Sequence, residues 1–110
     1  MVMTLDDSAE IVRSWRSSQF QDLVADVLDS CVRYAGYRAA WALADPDKRR
    51  EMNEARTRCH NALIDRIGVL AREQKKVGED TAWHTGLPPD RRELGDFACL
   101  VHAVLALSTG

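Results

Sequence analysis

Asp45-Pro46 divides two long apolar stripes, and that division limits the chain to very few folds. Upstream, Phe20, Leu23, Val24, Val27, Leu28, Cys31, Tyr34, Ala35, Trp41 and Ala42 recur at three- and four-residue steps. Successive side chains on a helix turn by about 100°, so this set falls on one face. Asp22, Asp26, Asp29 and Arg33 fall on the other. Downstream, Met52, Ala55, Cys59, Leu63, Ile67 and Leu70 form a second stripe. The spacing predicts one helix over 19–44 and another over 46–76. Gly36 inside the first costs about 1 kcal/mol against Ala and allows a bend. Asp45 can cap the second helix, and proline suits its first position because the missing N–H would be unpaired there anyway. So short a connection makes the two helices antiparallel. Gly78 is a natural stop.

The remaining segments add to this hairpin. Ile11, Val12 and Trp15 fit a short helix from about Asp6 to Arg16, which Ser17 and Ser18 either interrupt or continue. Residues 78–89 read as a loop from their Gly and Pro-Pro signals, with Trp83 pinning it to the bundle. Asp90-Arg-Arg-Glu93 has the form of a capping box. It opens a last helix over about 91–107, whose buried face is Leu94, Phe97, Ala98, Val101, Val104 and Leu105. No segment alternates as a strand. The expected fold is all-α, a long antiparallel hairpin with a C-terminal helix, in one domain over 1–110.

Composition narrows the setting. At 45% hydrophobic residues the 110-residue chain can bury one modest core. No run of apolar residues approaches a membrane span, and the acidic start lacks the features of a signal peptide. Three widely spaced cysteines do not make a disulfide framework. The expected location is the cytoplasm, with no membrane contact.

Charge is uneven. Residues 1–45 carry seven acids and four bases, residues 46–78 five acids and nine bases, and residues 79–110 five acids and two bases. If the last helix packs along the hairpin, its acids and those of the first arm meet the basic second arm, and most of the field cancels. Nucleic-acid binding needs an uncompensated basic face and a recognition module, so it is disfavoured. Lys48-Arg49-Arg50 and Arg91-Arg92 read as solvated helix starts.

Candidate sites lie where polar residues break the stripes. Arg38 interrupts the first stripe, and Arg56 and Arg66 lie in or beside the second. In a hairpin turning at Asp45, Arg38 faces residues 52–56, so Arg38 and Arg56 share one inner corner with Tyr34 and Trp41. A buried guanidinium needs a partner. The partner is either the carbonyl end or terminal carboxylate of the last helix, or a small anion in a two-arginine clamp.

Cys99 and His102 share a helix face, and Cys59 adjoins His60, but spacings that specify a metal site are absent. No metal or cofactor is expected, and no catalytic residue is assigned. Glu93-Leu-Gly-Asp96 resembles half of the Mg²⁺ motif of MazG-like nucleotide pyrophosphohydrolases. The only ExxE, Glu51-Met-Asn-Glu54, should lie at the opposite end of the bundle.

The run Arg56-Thr-Arg-Cys-His60-Asn-Ala-Leu-Ile-Asp65, with Asp90-Arg91 and Leu94-Gly-Asp96-Phe-Ala98, resembles a family of small bacterial all-helical proteins of unknown function. The resemblance covers roughly residues 20–107. It implies the hairpin-plus-helix layout, brings no activity, and groups Arg56, His60, Asp65 and Asp96 for joint attention.

The leading functional expectation is a non-enzymatic domain that self-associates or binds another protein. Leu100, Ala103 and Leu107 give the last helix a second apolar side, and Trp15 and Trp83 are further interface candidates. The alternatives are a Mg²⁺-dependent nucleotide pyrophosphohydrolase and a small-anion or nucleic-acid binder acting through its arginines.

Overall fold

The Asp45 carboxylate accepts a hydrogen bond from the Lys48 backbone N–H at 2.8 Å, with Pro46 beginning the helix it caps. In the computed structural model, which describes residues 3–87 and 91–108, this cap joins two of five helices. They are α1 (Leu5–Arg16), α2 (Gln21–Leu43), α3 (Pro46–Lys76), the single turn α4 (Ala82–Thr85) and α5 (Arg91–Ser108). No strand occurs among the described residues. The expected helices are present, α2 passes through Gly36 unbroken, and α4 is an addition inside the anticipated loop. Asp90, the expected cap of α5, lies outside the described residues.

The central helix is α2. It packs against α3 on one side and α5 on the other, and α1 lies mainly on α5. Because α3 and α5 scarcely meet, the acids of α5 do not neutralise the basic arm as expected. That arm forms local pairs instead: Lys48–Glu51 at 3.3 Å, Arg58–Glu54 at 3.2 Å, Lys76–Glu73 at 3.1 Å, and Arg50 with Asp47.

The core gathers at the open end of the hairpin. Its largest fully buried side chain is Trp15. The Trp15 ring meets Trp83 edge-on at 5.3 Å and Phe97 at 6.1 Å, geometry that suits the aromatic quadrupole. Trp83 in turn donates from its indole nitrogen to the buried Gln74 side chain at 2.9 Å. Trp15 and Trp83, considered above for an interface, are therefore core residues. The reason is local: Ser8, Val12 and Trp15 form one buried stripe on α1, and α4 turns Trp83 inward onto it.

Fully buried positions on α2 lie between Val24 and Ala35, and on α3 between Leu63 and Gln74. None occurs over 36–62. Trp41, Met52, Ala55 and Cys59 are only half-buried and Ala42 is exposed, which shortens the expected seam. Length explains it. At 1.5 Å per residue α3 runs about 46 Å and α5 only about 27 Å. From its start beside Arg38, α5 runs back along α2, so the apex of the hairpin projects uncovered. The molecule measures 47 × 29 × 28 Å accordingly.

A polar clasp closes the other end. Gly78, with φ of 80°, ends α3, and the Glu79 N–H returns to the Gln74 carbonyl at 2.9 Å. This Schellman turn aims the Glu79 carboxylate at the α1–α2 link. It accepts from Ser18 Oγ at 2.7 Å and from the Gln19 N–H at 2.9 Å. Those bonds, the Gln19 amide first, hold its pKa below the ordinary carboxylate value. A depressed carboxylate stabilises the fold above its unfolded pKa of about 4.3 and loses that contribution as pH falls through its folded value. Glu79→Gln should therefore lower the urea midpoint at neutral pH, with the gap to wild type closing in acid. A gap that persists at a pH well below 4 would contradict the clasp.

Candidate functional site

Near the apex, Arg38 crosses from α2 to the start of α5. One guanidinium nitrogen lies 2.7 Å from Asp96 Oδ1, and another donates to the Arg92 carbonyl at 3.0 Å. Gly95 lies beneath it, and a Cβ there would collide with the guanidinium. Leu94-Gly95-Asp96 is thus an arginine seat: Leu94 fills the core, Gly95 leaves room and Asp96 supplies the charge. Of the two partners that the sequence left open, an anion and the carboxyl-terminal end of α5, the second is not what Arg38 meets. The antiparallel course of α5 against α2 brings its amino-terminal end there instead.

Arg56 reaches the same corner from α3, as the count from Asp45 predicted. Its guanidinium lies 4.2 Å from the Trp41 ring centre, within cation–π range. Arg49 lies against the same ring at 5.7 Å and donates from Nε to the Trp41 carbonyl at 2.9 Å, satisfying the end of α2. Tyr34, Arg38, Trp41, Arg56 and Arg92 enclose a cavity of about 330 Å³. His60 stands beside it, its ring edge-on to Tyr34 at 6.1 Å and its Nδ1 3.2 Å from Asn61 Oδ1. Both His60 Nε2 and Arg56 Nε are buried without a hydrogen-bond partner.

Arg38, Arg56, His60 and Asp96 therefore gather around one corner. Arg66 does not join them. Ten residues along α3 from Arg56, it points elsewhere and donates to Ser30 Oγ. Asp65 is exposed and takes no part.

The carboxylates of the pyrophosphohydrolase-like motif diverge. Asp96 is held by Arg38, whereas Glu93 lines a groove with Met3, Asp7 and Glu10 of the amino-terminal segment. Glu51 and Glu54 pair with their own neighbours on α3, and Asp29 pairs with Arg33 at 2.8 Å. Among the described residues, no three His, Cys, Asp or Glu side chains converge as a metal site. The cysteines are free. Burial pushes the Cys31 thiol up to about 12. It raises Cys99 too, where Arg38 opposes the shift and Asp96 adds to it.

The other side of the hairpin seam is apolar. Gly36, Tyr37, Ala40, Leu43 and Ala44 of α2 and its end face Met52 and Cys59 across an open groove of about 960 Å³. Leu43 is 90% exposed. The run from Ala35 to Ala44 carries a single charge, Arg38. In the sequence Met52 and Cys59 fall in the seam stripe while Gly36, Tyr37, Ala40 and Leu43 lie off it, so the pattern gives no sign that they share one surface. The second apolar side of α5 is partly covered: Leu100 and Ala103 are half-buried, and Leu107 is 71% exposed.

No protein-family model, curated protein or solved structure matches the chain.

The arginine seat makes a prediction of sign. Alanine favours a helix interior by about 1 kcal/mol over glycine. With Arg38→Ala in place, Gly95→Ala should stabilise by about that amount, since nothing then occupies the space. With Arg38 present, the same change should be neutral or destabilising. Thermal or urea unfolding of the four-member cycle reads the coupling. Equal stabilisation in both backgrounds would mean that Arg38 does not lie over Gly95.

Proposed function

We propose that this chain is a helical association domain in which the apex of the α2–α3 hairpin pairs with a second copy of itself. The supporting observation is the nearly uncharged run from Ala35 to Ala44, which stays largely in water. Scattered exposed apolar residues are ordinary, but a continuous apolar groove on a helical pair is a usual mark of an interaction surface.

Three features favour a second copy as the occupant. Gly36, Ala40 and Ala44 recur every fourth residue and leave a shallow strip, so a partner helix can approach closely. Leu43, Tyr37 and Met52 stand around that strip as apolar knobs. Arg33, Lys48 and Glu51 place both charge signs on its rim, which suits an isologous pairing of a surface with itself. Two hairpin tips joined this way form a four-helix bundle, supplying the cover that α5 is too short to give.

The setting agrees with this reading. Among the described residues no helix is long and apolar enough to cross a membrane. Unpaired cysteines suit a reducing compartment such as the cytoplasm.

Sedimentation equilibrium checks the proposal. The wild-type chain should show a concentration-dependent monomer–dimer equilibrium. Ala40→Glu, which puts a charge on the strip without touching the core, should shift it to monomer while leaving the helical circular dichroism of the dilute protein unchanged. A wild-type chain that stays monomeric at high concentration contradicts the proposal, as does an Ala40→Glu variant that dimerises equally well.

A further inference from the structure

We infer that the partner copy lies antiparallel across the outer face of the α2–α3 hairpin, with a two-fold axis at the level of Tyr37 and Cys59, so that Glu51 of each copy meets Arg66 of the other. The inference rests on the association reading and adds where the partner sits and which charges select it.

The face is longer than its apolar groove. A second cavity, of about 370 Å³, adjoins the groove and shares Arg33, Tyr37 and Cys59 with it. Farther from the tip, this cavity is bordered by Ser30, Ala62 and Arg66. A partner confined to the tip would cover residues 36–44 of α2, about 12 Å of helix. Contact that continues to Asp29 spans about 23 Å, closer to the patch of about 800 Å² a side that a stable dimer uses.

The α3 side of this face nearly mirrors itself. Glu51, Ala55, Cys59, Ala62 and Arg66 follow at three- and four-residue steps, and all border the two cavities, so they form one stripe. Turned end for end about Cys59, the stripe sets Ala55 against Ala62, Cys59 against Cys59 and Glu51 against Arg66. The small side chains in the middle let two α3 helices approach closely, and the ends then carry opposite charges. On α2 the same turn brings the partner's Leu43 about level with Ser30, over the second cavity.

Charge selects this seating. Arg66 donates to Ser30 Oγ and has no ion pair among the described residues, whereas Arg33 and Arg58 are answered by Asp29 and Glu54. Glu51 pairs with Lys48 at 3.3 Å, with both side chains mostly in water. Such a pair contributes little, so the carboxylate is available to a second cation. The other isologous seating, with both tips pointing the same way, would bring the two arginine-lined cavities together and face like charges.

The test is sedimentation equilibrium of a charge-exchange cycle. Arg66→Glu and Glu51→Arg should each weaken the dimer about tenfold, because a two-fold dimer contains the contact twice. The double variant should return close to the wild-type constant. The two positions lie about 22 Å apart along one helix, so rescue can come only from contact between copies.

A second readout leaves the charged ends intact. In a Cys99→Ser chain, with Cys31 sealed in the core, a short bismaleimide should link two copies through Cys59. Linking should occur at concentrations where the chain dimerises and be lost with Ala40→Glu. A dimer that shows no rescue, or whose Cys59 thiols do not link, overturns this seating and leaves the association reading standing. A dimer tightened by Arg66→Glu overturns it in favour of tips pointing the same way. A wild-type chain that stays monomeric removes both.

Discussion

The structure rests on a mismatch of length. A helix of 31 residues is folded back on one of 23, and the helix that covers the pair has 18. Tertiary burial supplies most of the stability of helices in water, and here it is confined to the end where α1, α4 and α5 meet the hairpin. Arg38 marks the limit of that cover. Below it, Trp15, Phe97, Leu94 and Val101 form a fully buried core. Above it, the same two helices continue with apolar residues that the other described residues leave half-buried or exposed. The proposed association surface arises at this boundary, on the apolar side of the exposed tip.

Electrostatics divides in the same way. Most ion pairs of the described residues join neighbours on one helix, and such exposed pairs contribute little to stability. The Arg38–Asp96 pair differs because it links two helices, and the Arg92 carbonyl reinforces it. The glycine beneath shows how closely the guanidinium approaches the backbone of α5. Within the run that resembles half a magnesium motif, Leu94, Gly95 and Asp96 serve packing and charge between two helices.

Much of this was legible in the residues. The stripes, the turn at Asp45-Pro46 and the stop at Gly78 follow from periodicity and cap chemistry. So does the meeting of Arg38 with Arg56, which needs only a count outward from the turn. What stayed hidden required tertiary information. Asp96 is 58 positions from Arg38 in sequence, and only the direction of α5 along α2 brings them together. Glu79 is a loop residue by composition, yet it fastens the amino-terminal segment. Trp83 was legible as a pin of its loop to the bundle, but nothing in the sequence showed that Trp15 would be the surface it meets. The exposed apex is the most instructive case. Periodicity says which face of a helix is apolar, not whether any other element is long enough to cover it.

The central claim is that residues 36–62 form a surface, covered by a second copy when the protein associates. Amide hydrogen exchange followed at low and high protein concentration tests it most directly. In dilute protein, amides of the apex should exchange far faster than those of Leu63–Gln74, and at high concentration the apex should gain protection while the core stays unchanged. An apex as protected as the core at every concentration, or one that never gains protection, would contradict the account.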